Sequence, residues 1–266
     1  MTSHIRGGRA EAPLGSSGDA MIQSTERLLG VGLYSPFEAA LYAQVRPQLV
    51  SQWLYGRQGE RPSEAVLDPQ LGITKEKIVT FLDFVQILAI RRVRNERDIS
   101  LQKIRQAYRR AKEEFDVLYP LATQGVRIGV FGPPRRPDRQ TVFICLKKKD
   151  EAEVQQYFEL SGREHGNQLI GEVVLTYSRF LDFDKDTDLA RKFTIFKSDY
   201  GAVTMDPEVR FGEPFIEATG YTAYTLFNAY QTEGTIERAA SVYDVSQDHI
   251  RLAIDFFAYV GPKPAA

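Results

Sequence analysis

The residue pattern predicts an α+β fold in three parts. A helix-turn-helix with a wing-like segment and two long helices comes first. A small antiparallel sheet lies in the centre, and a helical, helix-turn-helix-like module closes the chain. Three observations predict this. Between Ser35 and Tyr119 the apolar residues recur at helical spacing. Between Val126 and Phe196 they alternate at strand spacing. From Ala223 to Tyr259 the helical period returns. In a chain of 266 residues the parts are expected at 25–120, 121–200 and 201–262, after a Gly- and Ser-rich disordered tail at 1–24.

The first helix is expected to start at Ser35-Pro36-Phe37-Glu38. Ser35 can cap, Pro36 suits the first helical position, and Glu38 completes a capping box. A break at Gln44-Val45-Arg46 precedes a second helix, opened by Pro47, running from Gln48 to Tyr55 and ended by Gly56. Gln44 stands where such turns often carry glycine. Residues 56–72 are rich in Gly, Pro and polar side chains and read as a wing or a loop. Thr74 is expected to cap a long amphipathic helix reaching Arg92, with Ile78, Phe81, Leu82, Val85 and Leu88 on one face. A further helix, Ile99 to Tyr119, carries Lys103, Arg105, Arg109, Arg110 and Lys112 on its polar face, and Pro120 stops it. Strands are expected at Val126–Phe131, Thr141–Leu146, Gln155–Leu160, Gln168–Tyr177 and Lys192–Phe196. Gly132-Pro133-Pro134 and residues 162–167 are expected as connections. At the C-terminus, Ile236 to Ser246 and Gln247 to Tyr259 repeat the helix-turn-helix pattern, with Ser246 as a cap.

The net charge of −1 hides a split. Residues 1–150 hold 24 Lys+Arg against 16 Asp+Glu, and residues 151–266 hold 10 against 19, so the halves carry +8 and −9. Partners of opposite charge would fit such halves, and so would chance distribution over solvated faces. Cys145 is the single cysteine, so an internal disulfide is excluded. It alternates within an apolar strand and is expected to be buried. No apolar run approaches the roughly 18 residues of a membrane span, and a cytoplasmic location is expected.

Catalytic equipment is not visible, and neither an enzyme nor a cofactor is expected. His4, His165 and His249 do not cluster, and no nucleophile elbow or Gly-rich phosphate loop occurs. Asp182 to Asp188 invites a calcium-loop reading that fails on spacing. The twelfth position would be Phe193 or Ile195 rather than Glu, and the loop glycine is missing. A solvated acidic loop, or a face for a basic partner, is the expectation.

The first helix pair is the candidate DNA reader. The early side chains of its second helix, Gln48, Ser51 and Gln52, would meet base edges, with Arg46 and Arg57 reaching phosphates; Ser35 completes the set of DNA-binding candidates. A helix pair of this spacing is also common in all-α proteins. The C-terminal pair sits in acidic, aromatic surroundings, which repel DNA and suit protein interfaces. Phe211, Tyr221, Tyr224, Phe227, Phe256, Phe257 and Tyr259 are its candidate contact residues. The same rings could instead fill a small core.

Residues 30–119 resemble the MerR-like winged helix-turn-helix fold. The resemblance rests on Tyr34-Ser35-Pro36-Phe37-Glu38-Ala39-Ala40, Phe81-Leu82-Asp83 and Ser100-Leu101-Gln102-Lys103-Ile104. It implies operator DNA binding as a homodimer. Residues 203–260 resemble the antitoxin family catalogued as domain of unknown function 433. The matching stretches are Met205-Asp206-Pro207, Phe211 to Ile216, Thr219-Gly220-Tyr221-Thr222, Ile236 to Ala240 and Val245 to Ile254. That resemblance implies a VapB-type antitoxin paired with a PIN-like ribonuclease toxin, so the C-terminal aromatic residues become candidates for toxin binding or dimerisation. The expected function is neutralisation of such a toxin with autorepression through operator DNA. The alternative is a MerR-like transcription regulator with a C-terminal small-molecule effector domain.

Overall fold

Helix caps and left-handed turn residues set most element boundaries. The structure, a computed structural model, describes residues 31–73, 75–97, 99–124, 126–131, 141–147, 155–159 and 180–261. The expected tail at 1–24, the strand at 168–177, both Gly-rich connections, the Thr74 cap and the side chain of Cys145 lie outside the described residues.

Strand β1 (Leu33–Tyr34) leads into helix α1 (Pro36–Ala43), and α2 (Pro47–Tyr55) follows. Strand β2 (Val79–Thr80) pairs antiparallel with β1. Helix α3 (Phe81–Arg97) begins immediately after it. The start expected just after Thr74 is therefore corrected to Phe81, and the end expected at Arg92 to Arg97. Thr80 opens the helix: its Oγ1 accepts from the Asp83 N–H at 3.2 Å, and its own N–H donates to Asp83 Oδ2 at 3.2 Å. Asp83 is fully buried and also accepts from the Gln70 N–H at 3.1 Å. Burial pushes its carboxyl up from 3.8 to about 6, against the pull of these hydrogen bonds.

Helix α4 (Leu101–Phe115) is capped by Ser100 and ends at Asp116, which is left-handed with φ 53°. Asp116, rather than Pro120, stops it. The strands after it form two sheets instead of one. The first holds β3 (Val126–Phe131), β4 (Thr141–Lys147) and β5 (Gln155–Glu159) in antiparallel order. The second holds β6 (Leu181–Phe183), β7 (Ala190–Ser198), β8 (Gly201–Met205) and β9 (Phe215–Ile216). It therefore runs on into the segment that precedes the last three helices, α5 (Ala223–Glu233), α6 (Ile236–Tyr243) and α7 (Gln247–Val260).

Two stretches far apart in sequence meet at a hydrogen-bonded neck. Thr123 bridges Leu189, the Ala190 N–H donates to Ala122 O at 2.7 Å, and the Gln124 N–H donates to Asp188 O at 2.6 Å. One hydrophobic cluster extends from Tyr34 to Val260. Tyr42 stacks on Phe256 with centroids 6.5 Å apart, and Phe84 meets Phe193 edge-on at 6.0 Å. The N-terminal helices and the C-terminal module thus share a core, a join made of apolar area and aromatic pairs. The α+β class holds. No described helix is long and apolar enough to cross a membrane.

Candidate functional site

The first helix pair is fixed by local chemistry. Ser35 Oγ accepts from the Glu38 N–H, and the Glu38 carboxylate accepts from the Ser35 N–H at 3.1 Å, closing the capping box. Helix α1 ends at Gln44, whose φ of 50° and ψ of 46° place it in the left-handed region. Glutamine occupies the position where glycine is usual, and its side chain is held on two sides. Its Nε2 donates to Tyr259 O at 3.1 Å, and its Oε1 accepts from Arg91 Nη2 at 2.9 Å. The Val45 N–H then donates to Ala40 O at 2.9 Å, and Arg46 precedes Pro47 at the start of α2.

Beyond α2, Gly56 at φ 73° turns the chain. Arg57 and Ser63 bridge antiparallel, with N–H to carbonyl distances of 2.8 and 3.0 Å, so residues 57–63 form a short hairpin. The DNA-reading candidates divide on inspection. Arg46, Gln48 and Arg57 are exposed, and Ser51 is half-buried. Gln52 is spent on the hairpin, its Nε2 donating to Ser63 Oγ at 3.2 Å. Ser35 is spent on the cap. Arg61, exposed in the hairpin, joins the group; its position four residues after Arg57 around Gly59 was the available signal.

The basic face of α4 does not extend this surface freely. Arg105 donates to Ala65 O at 2.8 Å and to Glu64 O at 2.6 Å. Arg109 pairs with Glu64 at 2.8 Å and Lys112 with Asp68 at 2.6 Å. These cations tie α4 to residues 64–68. Part of the basic charge that pointed to nucleic acid is thereby used inside the fold.

The second helix pair repeats the first in backbone terms. Both first helices have eight residues. Thr235 caps α6 as Ser35 caps α1. Asp244, at φ 51° and ψ 49°, takes the place of Gln44, and the Val245 N–H donates to Ala240 O at 3.0 Å. Ser246 caps α7 by accepting from the His249 N–H. Three buried positions correspond, Ala39 with Ala239, Ala40 with Ala240, and Val50 with Ile250, whereas buried Tyr42 and Ala43 stand against exposed Val242 and half-buried Tyr243. The exposed faces do not match. Ala223 to Val260 holds five acidic and two basic residues, and Arg251 is already held by Asp248 at 2.8 Å and Gln247 at 3.1 Å.

The aromatic candidates also separate. Phe256 and Phe257 are buried and hold the module together, so neither offers a face to a partner. Phe227 stacks on Phe257 at 4.6 Å, and Tyr221 meets Tyr243 edge-on at 5.4 Å. Phe211, Tyr224 and Tyr259 are 55%, 45% and 49% exposed. Phe211 sits in a turn where Arg210, Phe211 and Gly212 are all left-handed, with φ of 48°, 56° and 87°. Bulky side chains avoid that region. The turn is held by Arg210 Nε donating to Gly220 O at 2.9 Å and by Tyr34 Oη donating to Gly212 O at 2.8 Å. Burial raises the Tyr34 hydroxyl well above its usual pKa, so it remains a donor. A Cβ on Gly212 would lie 2.2 Å from Tyr34 Oη, which leaves only glycine room there. Tyr34 is the residue that sequence reasoning did not connect to this turn, since the bond spans most of the chain.

Residues 203–257 match the family described as "Protein of unknown function (DUF433)". No curated protein matches the chain. Among solved structures, the chain is similar to the crystal structure of Rv2018 from Mycobacterium tuberculosis, at 18% identity and a TM-score of 0.53. The likeness covers 85% of this chain and 99% of that one, and it speaks for the fold alone.

Proposed function

We propose that this chain is an antitoxin that neutralises a PIN-like ribonuclease toxin by direct binding and represses its own operon by binding operator DNA as a homodimer. One observation carries the reading: two helix pairs of the same backbone share a core but present opposite surfaces. Arg46, Gln48, Arg57 and Arg61 are exposed around the first. Such a group suits phosphate contacts around a helix that reads bases, with residues 57–63 as the wing of a MerR-like winged helix-turn-helix. The C-terminal module around the second pair is acidic, with Phe211 in the preceding turn, Tyr224 on α5 and Tyr259 on α7 exposed. That composition suits a basic protein partner, because complementary charge speeds encounter and aromatic rings anchor interfaces.

Two measurements test the proposal. Arg46→Ala with Arg57→Ala should weaken binding to the chain's own promoter in a gel shift and lower the salt slope by about 1 for each phosphate no longer neutralised. An unchanged affinity and slope removes the first pair from DNA binding. Co-expression with a PIN-like ribonuclease encoded beside this chain should give a complex on affinity purification, abolished in Phe211→Ser with Tyr224→Ser. Failure to co-purify with the unaltered chain would refute the antitoxin role.

A further inference from the structure

A cavity of about 520 Å³ lies between α3, β7 and the end of α7. That volume falls in the range of small-molecule pockets, roughly 300–1,000 Å³. Its wall includes the apolar side chains of Leu88, Phe193 and Ile195 and three cations, Arg91, Arg92 and Lys197. No Asp or Glu lines it among the described residues. The strand geometry opens this place. β6 pairs with β7 only as far as Phe193, and β7 shifts register against β8 between Thr194 and Phe196, which leaves Ile195 as the extra residue of a bulge. Bulges re-aim side chains and are frequent beside binding sites.

A wall of three cations over an apolar floor matches one kind of occupant. We propose that the cavity binds a small carboxylate with an apolar body, and that occupancy is communicated to the turn between α1 and α2. The relay is short. Arg91 lines the cavity and also donates to Gln44, the left-handed residue of that turn; Gln44 in turn donates to Tyr259 O, and Tyr259 lines the same cavity. A carboxylate that draws the Arg91 guanidinium toward the cavity competes with Gln44 Oε1 for it. The turn then loses an anchor at the residue with the least favourable backbone. The site shares Tyr259 with the proposed toxin surface but does not rest on toxin binding, and its test uses neither toxin nor DNA.

The experiment is calorimetric titration of the full chain with decanoate, decanol and inorganic phosphate. Decanoate should bind one to one, with decanol and phosphate at least tenfold weaker. Arg92→Gln with Lys197→Gln should weaken decanoate at least tenfold; Lys197→Gln alone, at an exposed side chain, should weaken it about threefold and leaves the test standing if the double variant does not fold. Amide exchange at Gln44 and Val45 should speed up when decanoate is bound. Equal binding of decanoate and decanol, or unchanged decanoate affinity in Lys197→Gln, overturns the site. Unchanged exchange at the turn overturns the relay.

Discussion

The two helix pairs, α1–α2 and α6–α7, make one turn with two sets of side chains. In each, a capped helix of eight residues ends on a left-handed non-glycine residue and a valine whose N–H returns to a buried alanine. A few buried positions coincide, such as Ala40 with Ala240 and Val50 with Ile250, whereas the surfaces do not. Gln44 is tied to Arg91 and Tyr259, while Asp244 has only its backbone bonds among those described. Helix α2 stops at Gly56 and hands over to a hairpin, whereas α7 continues into the core through Phe256, Phe257 and Val260. The backbone of such a unit is set by a few caps and small residues, so the remaining side chains are free to choose the partner.

The sharpest way to break this pairing is at the seam between the two halves. Gly212→Val should cost about 4 kcal/mol, because the new side chain meets the Tyr34 hydroxyl at a backbone angle that β-branched residues avoid. Urea denaturation measures it, and a loss below about 1 kcal/mol would show that the seam yields.

Acid separates the halves next. Asp83, beside the first pair, is a buried carboxyl whose pKa is raised to about 6 when folded, so the native state holds its proton more tightly than the unfolded chain. Its contribution is therefore largest below about 3.8 and is lost as pH rises through about 6. The stability of the unaltered chain relative to Asp83→Asn should fall across that window by at most about 3 kcal/mol. A flat difference between pH 4 and 7 in denaturation would contradict the buried ionisation.

A smaller effect distinguishes the turns themselves. Asp244→Gly should stabilise by about 0.5–1 kcal/mol, since glycine takes the left-handed angle without strain. Gln44→Gly gains the same relief but loses two side-chain hydrogen bonds, and should be destabilising by about 1 kcal/mol. Thermal unfolding of both variants decides whether the turns are equivalent. Last, Ser35→Ala should cost about 1 kcal/mol and somewhat more than Thr235→Ala, because Ser35 also anchors a capping box with Glu38.

Local features are legible in the sequence. Ser35, Pro47, Gly56 and Ser246 mark helix ends through local chemistry and stand where expected, while α4 starts at Leu101 behind a Ser100 cap rather than at Ile99. Pairings across the chain are not. Periodicity misplaces the start of α3 because β2 exists only through pairing with β1, some forty-odd residues earlier. The division into two sheets depends on which strands meet, and alternation alone does not record that. Of the candidate surface, Arg46, Gln48 and Arg57 emerge exposed, whereas Gln52 and three cations of α4 are paired with residues 63–68, partners that no periodicity reveals.

The hydrogen-bonded neck at Ala122–Gln124 and Asp188–Ala190 bears on how this chain can change over time. These contacts close the intervening stretch at its two ends, and β6 within it also joins the body by pairing with β7. Lengthening a segment closed in this way costs only about 0.6 kcal/mol per doubling. That estimate applies to connections between the strands of this stretch and not to β6, which pairs with β7. The N-terminal helices and the C-terminal module, by contrast, meet in one core through side chains such as Tyr42 and Phe256, so a change of volume at one is felt at the other.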